Sequence, residues 1–119
     1  IDQKGVKMIV NPGGTNQRFA TANIRQAQLI VFPDNKTIFD QIENGAADVM
    51  ITDDIEVKLV ASRNNKLCPT MPTTLLTHDK KGVLLPRDLI FKAYVDQWID
   101  ETQRSGFLGK AFDRALGTR

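Results

Sequence analysis

The sequence predicts an α/β fold: one lobe with a parallel-type sheet flanked by helices, followed by a C-terminal strand and two helices of a partial second lobe. Two observations predict it. Over the first half of the chain, short apolar runs rich in β-branched residues alternate with helical segments, and parallel neighbouring strands require such crossing helices. In the last third, two amphipathic stretches carry a broader apolar face, from Ile90 through Leu116, than the first sheet is able to cover.

The elements follow in order. Val6 to Val10 reads as a strand, stopped by the turn-rich Asn11-Pro12-Gly13-Gly14. A helix begins near Thr15 and continues with weak spacing through Phe19 and Ala22, before Gln28 to Phe32 forms a buried strand bounded by Pro33. Asp34 or Asn35 is expected to cap a helix carrying Ile38, Phe39 and Ile42, with Gly45 closing it just past its end. Ala47 to Thr52 is a third apolar strand. Asp53 and Asp54 then open a helix reaching about Ser62, with Ile55, Leu59 and Val60 inward. From Lys66 to Thr77, Pro69, Pro72 and several threonines predict an irregular connection with one short strand near Leu75-Leu76. Gly82 to Leu85 reads as a strand stopped by Pro86, and Asp88 as the cap of a long helix ended by Gly106. Ile90, Tyr94 and Trp98 form one stripe of that helix. Phe107, Leu108, Ala111, Phe112, Ala115 and Leu116 line the last one.

Composition narrows the function. The 119 residues are 41% hydrophobic and 25% charged, the range of an ordinary globular unit. Sixteen basic and fourteen acidic residues are interspersed, so no basic face points to a nucleic-acid partner. The longest apolar run, around Gln28 to Phe32, is far too short to cross a bilayer, and any targeting signal is expected to have been removed or to lie outside this sequence. With one histidine, His78, and one cysteine, Cys68, the chain has neither a zinc-type cluster nor an internal disulfide. Cys68 is expected to be half-buried and inert, or else to pair with a cysteine outside this chain.

In an open parallel sheet, ligands bind beyond the carboxyl ends of the strands, where helix N-termini point free N–H groups into the crevice. Three segments fall there. At Asn11 to Gln17, the glycines let the backbone approach a ligand, and Thr15 and Asn16 add donors at a positive helix end, a setting for a carboxylate or phosphate. Alternatively, Gly13-Gly14 only makes a tight turn and Thr15 only caps. The spacing fits neither a dinucleotide fingerprint nor a P-loop. At Thr52 to Glu56, Asp53 and Glu56 are three residues apart and lie on one side of a helix start, where two carboxylates suit proton transfer; the competing reading is that acidic residues simply favour a first helical turn. His78, Lys80 and Lys81 form either a solvated loop or, less simply, a ligand-contacting one.

Asn11-Pro12-Gly13-Gly14-Thr15-Asn16, Asn44 through Asp53 and Leu84-Leu85-Pro86-Arg87-Asp88 together resemble the family 3 periplasmic solute-binding proteins, over nearly all of the chain. Gly-Ala-Ala-Asp-Val and the following Thr-Asp are common to amino-acid-binding members. Pro-Gly-Gly-Thr-Asn, Glu56 three after Asp53, and Leu-Leu-Pro-Arg-Asp are more specific, and resemble members that dehydrate and decarboxylate prephenate or arogenate. Two positions depart from that pattern: Gln17 stands where a glutamate is expected, and Val83 where an aromatic residue often precedes Leu84.

The resemblance implies a periplasmic protein of two lobes, with residues 1–79 in lobe 2 and residues 80–119 forming the hinge return and C-terminal part of lobe 1. The earlier strands of lobe 1 would precede Ile1, which accounts for the surplus apolar face. Gly14, Thr15 and Asn16 would hold a substrate carboxylate, Asp53 would stand where amino-acid-binding relatives meet an α-amino group, and Glu56 would be the general acid. No cofactor and no metal are implied. The ligand would be a small carboxylate or an amino acid; if the chain were instead a receptor, its partner would be the membrane subunit of an ABC importer for polar amino acids. Alone, the chain would be expected to self-associate through its apolar helix face.

Overall fold

Met8, Ile9 and Val10 are each buried, so this strand is covered on both faces and reads as an unbroken apolar run with no polar alternation. It is β1 (Lys7–Val10), the central strand of a three-stranded sheet in a computed structural model that describes residues 1–117. β2 (Gln28–Val31) and β3 (Val49–Met50) flank it, both parallel, in the order β2-β1-β3. Met8 is paired with Leu29 on one side and with Val49 on the other. The α/β class expected from the alternation is the class observed.

Between the strands run α1 (Thr15–Asn23) and α2 (Ile38–Glu43), and α3 (Asp54–Arg63) follows β3. Because successive strand side chains point to opposite faces, the sheet has two separate cores. Met8 and Val10 pack with Ala20 of α1, Val49 and Ile51, while Ile9 packs with Ile38 of α2 and with Ala47. The two crossovers run in opposite directions across the sheet, α1 from β1 to β2 and α2 from β2 back past β1 to β3. Each being right-handed, they must put α1 and α2 on opposite faces, as those two cores require.

Local chemistry sets the element ends. Gly45 follows α2 at φ +73°, the left-handed conformation that closes a helix with least strain in glycine. The expected cap at Asp34 or Asn35 is corrected: α2 starts at Ile38 with Thr37 as its N-cap. Asp34 accepts from the Lys36 N–H at 2.8 Å and from Thr37 Oγ1 at 2.8 Å, so its carboxylate closes a turn before the helix. β3 is shorter than the expected Ala47 to Thr52 because the Ala47 N–H donates to the Gln41 carbonyl at the end of α2. The ladder to β1 starts at Asp48, whose N–H donates to the Lys7 carbonyl at 2.8 Å while its carboxylate accepts from the Lys7 N–H at 2.7 Å.

Asp2 ties the chain start to the turn before β2. Its carboxylate accepts the N–H groups of Ala27, Gln26 and Arg25, at 2.7 to 3.1 Å, and these bonds, that of Ala27 foremost, hold its pKa below the usual 3.8. A depressed carboxylate contributes stability that is complete above the ordinary pKa and is lost as pH falls through the lower, folded value. Asp2→Asn is therefore expected to be less stable than wild type at neutral pH, with the gap in urea midpoint narrowing as pH falls below the usual carboxylate value of 3.8. A gap that stays constant with pH would mean that shape, not charge, holds this turn.

These elements form one compact unit, Ile1–Pro69, and a second opens at Thr70. The second contains α4 (Leu89–Arg104) and α5 (Phe107–Leu116), packed on each other. Asp88 caps α4 as expected, accepting from the N–H groups of Ile90 (2.9 Å) and Phe91 (3.0 Å), and Gly106 at φ +72° separates the two helices. The C-terminal strand expected at Gly82 to Leu85 does not form, nor does one near Leu75-Leu76. A strand exists through its ladder; no described segment pairs with either stretch, and Leu84 is 99% exposed. Ile90, Tyr94 and Trp98 are exposed along α4.

Candidate functional site

All three strands run the same way, so the loops 11–14, 32–37 and 51–53 leave one edge of the sheet. In the order β2-β1-β3, the connections on either side of β1 go to opposite faces. The crevice between β1 and β3 is therefore the topological switch point, where ligands of open α/β sheets bind. The loop after β1 leads into α1 and the loop after β3 leads into α3, so both helices present their N-termini there. The expected residues Gly14, Thr15 and Asn16 begin the first; Asp53 and Glu56 begin the second. The topology thus brings the two predicted groups to adjacent strand ends.

At α1, Gly14 is the N-cap. Glycine supplies no capping side chain, so the N–H groups of Thr15 and Asn16 stay directed out of the helix end, where the dipole favours an anion. The first helical bond runs from the Arg18 N–H to the Gly14 carbonyl at 3.2 Å. Gly13 stands at φ +79° and its N–H donates to Gln17 Oε1 at 2.5 Å, so the side chain of Gln17 braces the turn. A glutamate there would make the same bond but add a negative charge; with glutamine, α1 has no acidic residue in its first turn.

At α3, Asp53 is the N-cap by backbone, accepting the Val57 N–H at 3.0 Å through its carbonyl, but its carboxylate does not cap. Asp54 is engaged instead with Lys58, at 2.6 Å. Glu56 is half-buried in the first turn and accepts a hydrogen bond from Thr52 Oγ1. The far end of α3 is fixed as well: Glu43, at the end of α2, accepts from Asn64 and pairs with Lys66 at 3.3 Å.

Two residues at this edge were not singled out from sequence. Thr52 is one: it lay within the Thr52 to Glu56 segment, but only a hydroxyl four positions before a glutamate pointed to a role of its own. Asn11 is the other: it ends β1 directly, and its Nδ2 is buried with no hydrogen-bond partner among the described residues. A buried amide donor is costly to leave unpaired. His78, Lys80 and Lys81 are exposed in the second unit. Cys68 is exposed, correcting the expected half-burial; it follows α3 in an irregular stretch that no described element covers.

No family model matches the chain. Across all of its 119 residues it is 48% identical to the cyclohexadienyl dehydratase of Pseudomonas aeruginosa, and it covers 44% of that protein. Its structure matches that of an ancestral cyclohexadienyl dehydratase with a TM-score of 0.61 and 36% identity, covering 98% of this chain and 49% of the other. The fold is of the periplasmic-binding-protein type. The chain spans about half the length of these cyclohexadienyl dehydratases. No described helix is long and apolar enough to cross a membrane.

Proposed function

We propose that this chain supplies lobe 2 and the closing part of lobe 1 of a two-lobed periplasmic cyclohexadienyl dehydratase, divided near residues 79 and 80. It dehydrates and decarboxylates prephenate to phenylpyruvate, or arogenate to phenylalanine. The supporting observation is the convergence of an anion-seeking helix start, at Gly14 to Asn16, with the half-buried Glu56 on neighbouring strand ends. The similarity to cyclohexadienyl dehydratases over the whole chain points the same way.

The chemistry needs one acid and one anchor. The N–H groups of Thr15 and Asn16, with Gly14 allowing close approach, hold a substrate carboxylate. Glu56 protonates the ring hydroxyl, which leaves as water. The ring carboxylate leaves as carbon dioxide, and the electrons of its C–C bond complete the aromatic ring. Glu56 then regains a proton from solvent, so the net change consumes one proton and needs no cofactor. Asp53 stands beside the entering substrate, where an α-amino group would meet it in arogenate. Closure of lobe 1 excludes water, and its earlier strands cover the Ile90-Tyr94-Trp98 face.

The test is turnover by the complete two-lobed protein. Phenylpyruvate should form from prephenate, with carbon dioxide in equal amount. Tight capture of a polar amino acid without any dehydration would replace this reading with that of a transport receptor.

A further inference from the structure

We propose that Thr52 is a positioning residue for Glu56, selecting which carboxyl oxygen carries the transferable proton; this rests on the dehydratase reading above. Thr52 Oγ1 donates to Glu56 Oε2, and both side chains are half-buried. An oxygen that accepts the Thr52 proton is poorly placed to carry one of its own, so the acid's proton resides on Oε1. Oε1 is then the oxygen that faces the leaving hydroxyl.

The bond also ties a flexible side chain to the rigid part of the fold. A glutamate at the third position of a helix often turns back to the N-cap backbone N–H in a capping box. Here Glu56 is instead engaged by the hydroxyl of the residue before the N-cap. Threonine is β-branched and has few accessible rotamers, so its hydroxyl direction is restricted. Thr52 follows β3 by two residues, and the Ile51 N–H reaches the Ile9 carbonyl of the central strand at 3.4 Å. The orientation of Glu56 is thus referred to β1, from which the anion-binding loop also departs. Acid and anchor share one reference frame, which a bond within α3 alone would not provide.

Three variants of the complete two-lobed protein test this with prephenate as substrate. Thr52→Val keeps the branched shape and removes the donor; it is expected to lower kcat about ten- to hundredfold, the scale of a misoriented catalytic group, with KM within about threefold. Thr52→Ser keeps the hydroxyl and should recover most of that loss. The double variant Thr52→Val/Glu56→Gln should be no slower than Glu56→Gln alone, because orientation matters only while there is a proton to transfer. A merely structural threonine would give losses that add in the double variant. Additive losses, or turnover by Thr52→Val within about twofold of wild type while Glu56→Gln is slow, overturn the positioning role and leave the dehydratase reading intact. If wild type has no dehydratase turnover, or Glu56→Gln retains it in full, the acid assignment falls and the role of Thr52 falls with it.

Discussion

Glu56→Gln is expected to reduce turnover of prephenate by about 10²- to 10⁴-fold, the range that a positioned general acid contributes. Hydroxide is a poor leaving group from a cyclohexadienol, and aromatisation drives the reaction only after the oxygen has been protonated. Glutamine preserves the size of the side chain and retains a carbonyl oxygen able to accept from Thr52 Oγ1, the bond that Glu56 makes here. It removes only the transferable proton. Substrate affinity should therefore stay within about tenfold, giving the pattern of an interaction made chiefly in the transition state. Steady-state kinetics alongside direct binding measurements separate the two quantities. An equal loss in affinity and turnover would instead make Glu56 a binding group.

Ile9→Ala is expected to be the most damaging core change in the first unit, costing about 2–5 kcal/mol. Ile9 is 1% exposed and is the only β1 residue in the buried cluster on the α2 face, where it meets Ile38 and Ala47. Ala47 is already small, and a backbone held in ladders on both sides collapses little into the space left behind. Val31→Ala is the control, since Val31 is 44% exposed and its truncation should change stability by no more than about 0.5 kcal/mol. Urea unfolding of the two variants compares them directly. A loss for Ile9→Ala below that of Val31→Ala would mean that the α2 face is not closely packed.

Much of this was legible because it depends on neighbours in sequence. Asp88 caps α4 through N–H groups two and three residues on, and Gly45 and Gly106 adopt the positive φ that ends a helix. The central strand announced itself by being apolar at consecutive positions. The candidate site was legible for a related reason: the turn-rich segments that interrupt a βα alternation necessarily sit at its carboxyl edge. Elsewhere the outcome depended on what lies alongside. Gly82 to Leu85 has the residues of a strand, yet no described segment offers it a ladder. Asp34 is a good helix cap by type, but Thr37 offered its carboxylate a closer donor. The Thr52–Glu56 bond and the unpartnered Asn11 amide depend on rotamers and on which strand lies beside which, and residue order encodes neither directly.

The double clasp between Lys7 and Asp48 fixes where β3 begins, and from there to Glu56 the chain passes through a two-residue strand and straight into α3. There is no slack in that path. Inserting or deleting one residue between Asp48 and Glu56 would turn Val49 and Ile51 out of their core or rotate Glu56 about 100° around its helix. The turn at 32–37 lies on the other side of β1 and carries no such requirement. Among natural variants of this protein, changes in length are expected to gather at 32–37 and to be missing from 48–56.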